Sequence, residues 1–328
     1  MKAITTTPEK RLVLVSGRAH PELTREVAEA LGADVVATTA YDFANGEIYV
    51  RFAESVRGCD VFVLQAHTAP INQWLMEHLL MVDALKRASA KRVTVVAPFL
   101  GYSRQDKKHR GREPISARLV MDMFKTAGAD RIISVDLHAA QIQGFFDGPV
   151  DHLWALPVLA DYVATRVDKQ QLTIVSPDMG RVRVADVWSD RMGAPLAIIH
   201  KRRDANVPNK VQVHEIVGSE HVRGRTCLLI DDMIDTAGTI VQAAEALKAN
   251  GANKILVAAT HAILSGPAVQ RLSEGPVDEV VVTNTLPITP DKRWDGLTVL
   301  SIAPLLARAI REIFDDGSVT SLFEPHSG

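Results

Sequence analysis

The chain has two cysteines in 328 residues, Cys59 and Cys227. Each lies beside a predicted strand, and neither sits in a pattern with metal-ligand spacing. A zinc site and a disulfide framework are therefore excluded, and reduced core thiols of a cytoplasmic protein are expected. No apolar stretch approaches the roughly 20 residues that a membrane-crossing helix needs. Residues 1–10 are polar and lack the apolar centre of a signal peptide, so no membrane partner is expected. An excess of positive charge is missing too. The formal net charge is -2, which argues against a nucleic-acid partner held by counterion release but leaves room for a local phosphate pocket. What is present, 47% hydrophobic and 23% charged residues over this length, suggests two globular domains with a sizeable core.

Short β-branched runs alternate with helical-period segments from end to end. Candidate strands are 12–15, 61–64, 93–97, 132–135, 173–175, 196–199, 228–230, 255–258, 280–282 and 298–302. Most are continuously apolar, as parallel strands buried on both faces must be. Helices fit between them, for example at 72–88, 118–127 and 239–248. This is the α/β pattern of a doubly wound sheet. The halves also echo each other. Ala84-Leu85-Lys86 leads to Arg92-Val93-Thr94-Val95-Val96-Ala97, and Ala246-Leu247-Lys248 leads at equal spacing to Lys254-Ile255-Leu256-Val257-Ala258-Ala259. Duplication explains this; so does chance similarity between two helix–strand units. Gly148-Pro149 breaks the chain, which suggests domains at 11–152 and 153–304, with a final helical segment in 305–323 packing back on the first.

The strongest chemical signal is Leu228-Leu229-Ile230-Asp231-Asp232-Met233-Ile234-Asp235-Thr236-Ala237-Gly238-Thr239. A buried strand ends in two carboxylates, and a short loop then opens a helix. Backbone amides in such a loop, with the helix N-terminus, cradle an anion, and Thr236 and Thr239 add hydroxyl donors. The acidic pair suits ribose hydroxyls or a cation. Asp and Thr also cap helices, a plainer reading of the same residues.

Five further segments carry polar residues at strand ends or turns. The basic run Arg104-Gln105-Asp106-Lys107-Lys108-His109-Arg110-Gly111-Arg112 follows a strand. It reads either as a solvated loop or as mobile cations closing over a polyphosphate. His138 follows another strand, in Asp136-Leu137-His138, and Asp178 follows a third, where it is a candidate Mg²⁺ ligand or a turn former after Pro177. Ile199-His200-Lys201-Arg202-Arg203 places cations after a fourth. Phe43-Ala44-Asn45-Gly46-Glu47 contains the Asn-Gly signal of a hairpin turn.

The 231–239 string resembles the phosphoribosyl diphosphate (PRPP) loop of type I phosphoribosyltransferases and PRPP synthetases. The other segments, in the same order, resemble PRPP synthetases of the bacterial type over nearly the whole chain, from about residue 13 to 323. The resemblance implies two similar domains of the type I phosphoribosyltransferase fold, each a mainly parallel sheet flanked by helices. It implies diphosphoryl transfer from Mg-ATP to ribose 5-phosphate, giving PRPP and AMP. Asp231, Asp232, Asp235, Thr236, Ala237, Gly238 and Thr239 would hold ribose 5-phosphate, and Arg104, Gln105 and His138 would hold ATP. Lys201 and Arg203 would stabilise the transition state, with Mg²⁺ near His138 and Asp178.

Phe43, Asn45 and Glu47 match a turn that reaches a neighbouring subunit's adenine site, so a homo-oligomer is implied, a hexamer in this family. Phosphate activation and ADP inhibition come with it, and Ser55, Arg57, Ser89, Ser318 and Thr320 match members of the regulatory phosphate site. Two departures stand out. Gly180-Arg181 replaces the family's Gly-Gly, and Asn45 stands where Asp is frequent. A phosphoribosyltransferase that consumes PRPP would share only the 231–239 loop. A silent regulatory paralogue would keep the fold without the cations at 104, 201 and 203.

Overall fold

The computed structural model describes residues 10–202 and 213–322. They form two compact units. One runs to Leu153 and resumes at Ala303, and the other is Trp154–Ile302.

The first unit contains β1 (Leu12–Ser16), α1 (Pro21–Leu31), β2 (Val35–Val36), β3 (Thr38–Asp42), β4 (Ile48–Phe52), β5 (Asp60–Leu64), α2 (Ile71–Arg87), β6 (Arg92–Val96), α3 (Ser116–Ala127), β7 (Arg131–Val135) and β8 (Val150–Leu153). Six strands make one sheet in the order β2-β1-β5-β6-β7-β8, parallel throughout. β5 is buried at every position, and β6 and β7 at all but the first. That is why Val61, Val63, Val93, Val95 and Ile132 carry no polar partners along the strand. β3 and β4 stand apart as an antiparallel hairpin, Ala40 opposite Val50.

The second unit contains α4 (Leu156–Arg166), β9 (Leu172–Ser176), α5 (Val182–Met192), β10 (Leu196–Arg202), β11 (Val213–Val217), β12 (Thr226–Ile234), α6 (Gly238–Ala249), β13 (Lys254–Ala262), α7 (Ala268–Glu274), β14 (Glu279–Thr283) and β15 (Leu297–Leu300). Its sheet has the order β11-β10-β9-β12-β13-β14-β15, and only the β10–β11 pair is antiparallel. The last helix, α8 (Ala303–Phe314), lies in the first unit against α1. There Arg311 donates to the carbonyl of Leu31 at 2.6 Å and caps that helix.

The two stretches that match in sequence are α2–β6 and α6–β13. Each follows the strand on one side of its sheet's switch point, β5 next to β1 and β12 next to β9, where successive crossovers turn in opposite directions. Several strands run longer than their apolar runs. β12 continues through both carboxylates to Ile234 because β13 pairs with it as far as Ala262. β10 continues to Arg202 because β11 pairs with it there, and the polar-rich β11 and β8 carried no strand signal of their own.

Two arrangements in the first unit lead to predictions. Beneath the 99–115 segment, the Gly101 amide donates to His67 Nδ1 at 3.0 Å. His67 Nε2 lies 3.1 Å from His78 Nδ1, and His78 Nε2 lies 3.1 Å from the Val63 carbonyl. One tautomer satisfies the whole chain, with each ring protonated on Nε2. Burial holds His67 at about 3 and His78 well below its ordinary value, with the neighbouring His67 adding to the latter. Both rings stay neutral in the fold but charge in the unfolded chain below about pH 6.5, so stability present above that pH is lost as pH falls toward 3. Unfolding free energy from urea titrations should therefore drop by up to about 1.4 kcal/mol per pH unit for each ring below that point. His67→Gln should show the shallower slope, and equal slopes would contradict the arrangement. Separately, the buried Asp60 carboxylate receives Arg92 Nε at 2.9 Å as well as Arg92 Nη2. Arg92→Ala should cost about 2 kcal/mol by denaturant unfolding, the part-exposed guanidinium tempering the usual penalty for stranding a buried charge.

Candidate active site

In a doubly wound sheet, ligands bind beyond the carboxyl ends of the strands at the switch point. In the second unit that point lies between β9 and β12. Pairing of β12 with β9 ends at Leu229–Val175, whereas pairing with β13 runs on. Asp231 and Asp232 thus sit where β12 has passed the end of one neighbour. The sequence places them at the end of a strand, but they lie inside one, and the step in the sheet gives them their opening.

The loop beyond them turns on Ala237, which is buried and takes a left-handed conformation (φ 59°). α6 begins at Gly238, and no side chain caps it, so the first-turn amides have no acceptor of the helix's own or from its cap. Arg271 donates to the Thr236 carbonyl at 2.9 Å and steadies the turn from α7. Gly238 has ordinary φ, and a Cβ there would meet nothing closer than 3.5 Å. The unusual backbone thus falls one residue earlier than the glycine suggests. Residues 235–239 form a tight turn into α6, with hydroxyls from Thr236 and Thr239 in the same loop.

The carboxylates are held from one side by Arg181. Its Nε lies 3.0 Å from Asp231 Oδ1, and its Nη2 lies 2.5 Å from Asp232 Oδ1. The Asp232 amide also donates to Asp231 Oδ1 at 2.8 Å. Burial pushes the Asp231 carboxyl well above the usual carboxylate range. The Asp232 charge pushes the same way, and Arg181 opposes both.

Asp178 follows β9 and accepts the amides of Gly180 at 2.7 Å and Arg181 at 3.2 Å on the same oxygen, Oδ1. It is the cap of a short 3₁₀ turn, so the turn-former reading holds, with the sequence of the turn delivering Arg181 to the acidic pair. Lys201 lies in β10 opposite His214, within the strand and not after it. Arg203 falls outside the described residues.

In the first unit the same topological place is filled by the unit's own side chains. Glu77, fully buried on α2, accepts the Arg18 amide at 2.8 Å, Arg18 Nε at 2.6 Å and Gln65 Nε2 at 2.8 Å. Gln65 in turn accepts the Ala19 amide at 3.0 Å. Glu77 and Gln65 thus take the amides of the turn after β1, as Asp178 takes those of Gly180 and Arg181 in the turn after its counterpart β9.

Other predicted residues gather at the ends of β6 and β7. Arg104 and Gln105 are exposed beyond β6, and Gln105 Oε1 accepts from Ser116 at 2.6 Å. His138 is half-buried, three residues past the end of β7, after a left-handed Asp136. The buried Asp106 accepts Gln141 Nε2 at 2.5 Å, joining the 104–106 segment to the 138–141 segment. Sequence reasoning assigned no role to Asp106 or Gln141. An acidic residue inside a basic run was the available signal.

The 43–47 turn is longer than a two-residue Asn-Gly hairpin. Gly46 donates to the Phe43 carbonyl, Phe43 donates to that of Glu47, and Gly46 takes φ 87°. Asn45 accepts the Glu47 amide at 3.1 Å. The turn lines a cavity of about 760 Å³ with Asn72 and Met76 of α2, and Phe43 is exposed. Asp42 fastens the hairpin to its surroundings, receiving Arg18 at 2.6 Å and Gln73 at 2.9 Å.

Ser55, Arg57 and Ser89 are exposed on loops joined by the Gly58 amide to the Ser89 carbonyl, 2.9 Å. Ser318 and Thr320 are exposed after α8, where Ser318 accepts the Thr320 amide. Among the described residues, no group of three His, Cys, Asp or Glu gathers as a metal cage, and no helix is long and apolar enough to cross a membrane.

A sequence model of the N-terminal domain of ribose phosphate pyrophosphokinase matches residues 12–128. A model of the phosphoribosyl synthetase-associated domain matches 205–324. A ribose-phosphate pyrophosphokinase of Streptomyces coelicolor is 66% identical over 324 residues, 99% of each chain. One of Mycobacterium tuberculosis is 60% identical over 320, covering 97% of this chain and 98% of the other. A crystal structure of phosphoribosylpyrophosphate synthetase from Mycobacterium smegmatis superposes with a TM-score of 0.89 at 61% identity, covering 94% of this chain and all of that one. Full-length similarity of this order, on a fold of two mainly parallel sheets, places the chain in the ribose-phosphate pyrophosphokinase (PRPP synthetase) family.

Proposed function

We propose that the family's reaction, PRPP formation from ATP and ribose 5-phosphate, runs here with the sugar phosphate held in the second unit. Its 5-phosphate occupies the amides and hydroxyls of 235–239, and Asp231 and Asp232 accept its ring hydroxyls. The observation that carries this reading is the uncapped, left-handed entry to α6 beside a carboxylate pair at the switch point. Arg104, Gln105 and His138 hold ATP. The anomeric oxygen bonds to the β-phosphorus as the bond from that phosphorus to the α,β-bridging oxygen breaks, and AMP leaves with that oxygen. Positioning and charge stabilisation supply the catalysis. Lys201 and Arg203 neutralise the charge that develops on the phosphoryl oxygens.

Mg²⁺ would be carried largely by phosphates and water, with single protein contacts from His138 and Asp178, since no cage is preformed among the described residues. Bound there, it would polarise the transferred group. The exposed Phe43, with Asn45 and Glu47, reaches the adenine site of a second copy, in a homo-oligomer of the hexameric kind. Ser55, Arg57, Ser89, Ser318 and Thr320 take an activating phosphate, and ADP inhibits. The enzyme works in the cytoplasm.

Lys201→Ala should lower kcat by about 10²–10³-fold with the fold retained, as loss of one preorganised charge donor does. Near-wild-type turnover would remove Lys201 from the mechanism. The shared site has its own test. Phe43→Ala and Lys201→Ala proteins, each weak alone, should regain activity when their subunits are exchanged, because mixed interfaces restore complete sites. Absence of recovery after proven exchange would confine the turn to its own subunit.

A further inference from the structure

The Arg181 guanidinium spans two adjacent carboxylates, one nitrogen to each, and all three side chains are largely withdrawn from water, at 16%, 17% and 9% exposure. Two carboxylates this close and this buried cannot both keep their charge without a cation beside them. The ring hydroxyls of a sugar are neutral, so their arrival does not replace that cation. The guanidinium must therefore stay while substrate binds, one nitrogen on each carboxylate. Its own placement is built in. Asp178 binds the amides of Gly180 and Arg181, fixing the turn from which the side chain departs. Burial and the neighbouring Asp232 push the Asp231 carboxyl up, and Arg181 is the side chain that opposes them.

We propose that Arg181 is a positioning residue for ribose 5-phosphate, the resident counter-ion that keeps Asp231 and Asp232 charged and aligned as acceptors for two ring hydroxyls. Arg181 itself does not touch the reacting phosphorus. A glycine at this position could not supply the charge, and a lysine could supply the charge without the two-pronged geometry.

This inference rests on the reading of the acidic pair as the sugar's site, and the test separates the two. KM for ribose 5-phosphate and kcat are measured at saturating Mg-ATP for Arg181→Gly, Arg181→Lys, Asp232→Asn and the Arg181→Gly/Asp232→Asn double variant, with thermal unfolding to verify folding. Arg181→Gly should raise KM for ribose 5-phosphate about tenfold or more, the scale of a charged hydrogen-bond pair, with a smaller change in kcat. Arg181→Lys should recover part of that loss. The double variant should be little worse than Asp232→Asn alone, since Arg181 acts through the pair. If Asp232→Asn leaves KM for the sugar phosphate unchanged, the site reading itself falls. If Asp232→Asn raises KM while Arg181→Gly leaves it unchanged or lowers it, the site stands and the counter-ion role is overturned.

Discussion

A parallel strand covered on both faces has no place along its length for an unpaired charge, because neither face offers water. β5, β6, β7, β9 and β13 obey this almost residue for residue. Polar chemistry is therefore displaced to where strands end or lose a neighbour. In the second unit that place is the step between β9 and β12. The carboxylates, the 235–239 cradle and the turn carrying Arg181 all follow from it. The sheet supplies rigidity, and the irregular backbone beyond it supplies amides.

At three places in the described residues an arginine meets a largely buried carboxylate: Arg92 at Asp60, Arg18 at Glu77, Arg181 at the acidic pair. The three have different consequences. The Asp60 pair ties the start of β5 to β6. The Glu77 pair holds the turn after β1, and through Arg18 it also reaches Asp42 at the base of the hairpin. The Arg181 pair joins the turn after β9 to β12. The turns after β1 and β9 each have their amides taken by a side chain of the protein, and they differ in what their arginine meets: one buried glutamate, or two adjacent aspartates.

Much of this was readable in the sequence. Continuous β-branched runs separated by helical periods identify the buried parallel strands, and the repeated Ala-Leu-Lys helix ends mark equivalent places in the two sheets. The 228–239 string announces its site because so few structures need two acids, two threonines and a glycine in that order. Other features depended on partners distant in the chain. β8 and β11 carry Asp151, His152 and Glu215, and only pairing with a neighbour makes them strands. Ala237 gives no warning that it holds the left-handed position while Gly238 does not. Arg181 looked like a departure from a glycine pattern, and its meaning emerged only when the fold brought it 51 residues along the chain to Asp232. His67 and His78 read as ordinary residues of a helix and its approach until the Gly101 amide and the Val63 carbonyl close their chain.

The central claim is diphosphoryl transfer to the anomeric oxygen, and product analysis tests it most directly. Purified protein would be incubated with ATP, Mg²⁺, inorganic phosphate and ribose 5-phosphate, and the products resolved by ion-exchange chromatography. The account predicts AMP and PRPP in equal amounts, both vanishing when the sugar phosphate is omitted. ADP in place of AMP, or folded protein that forms neither product, would contradict it.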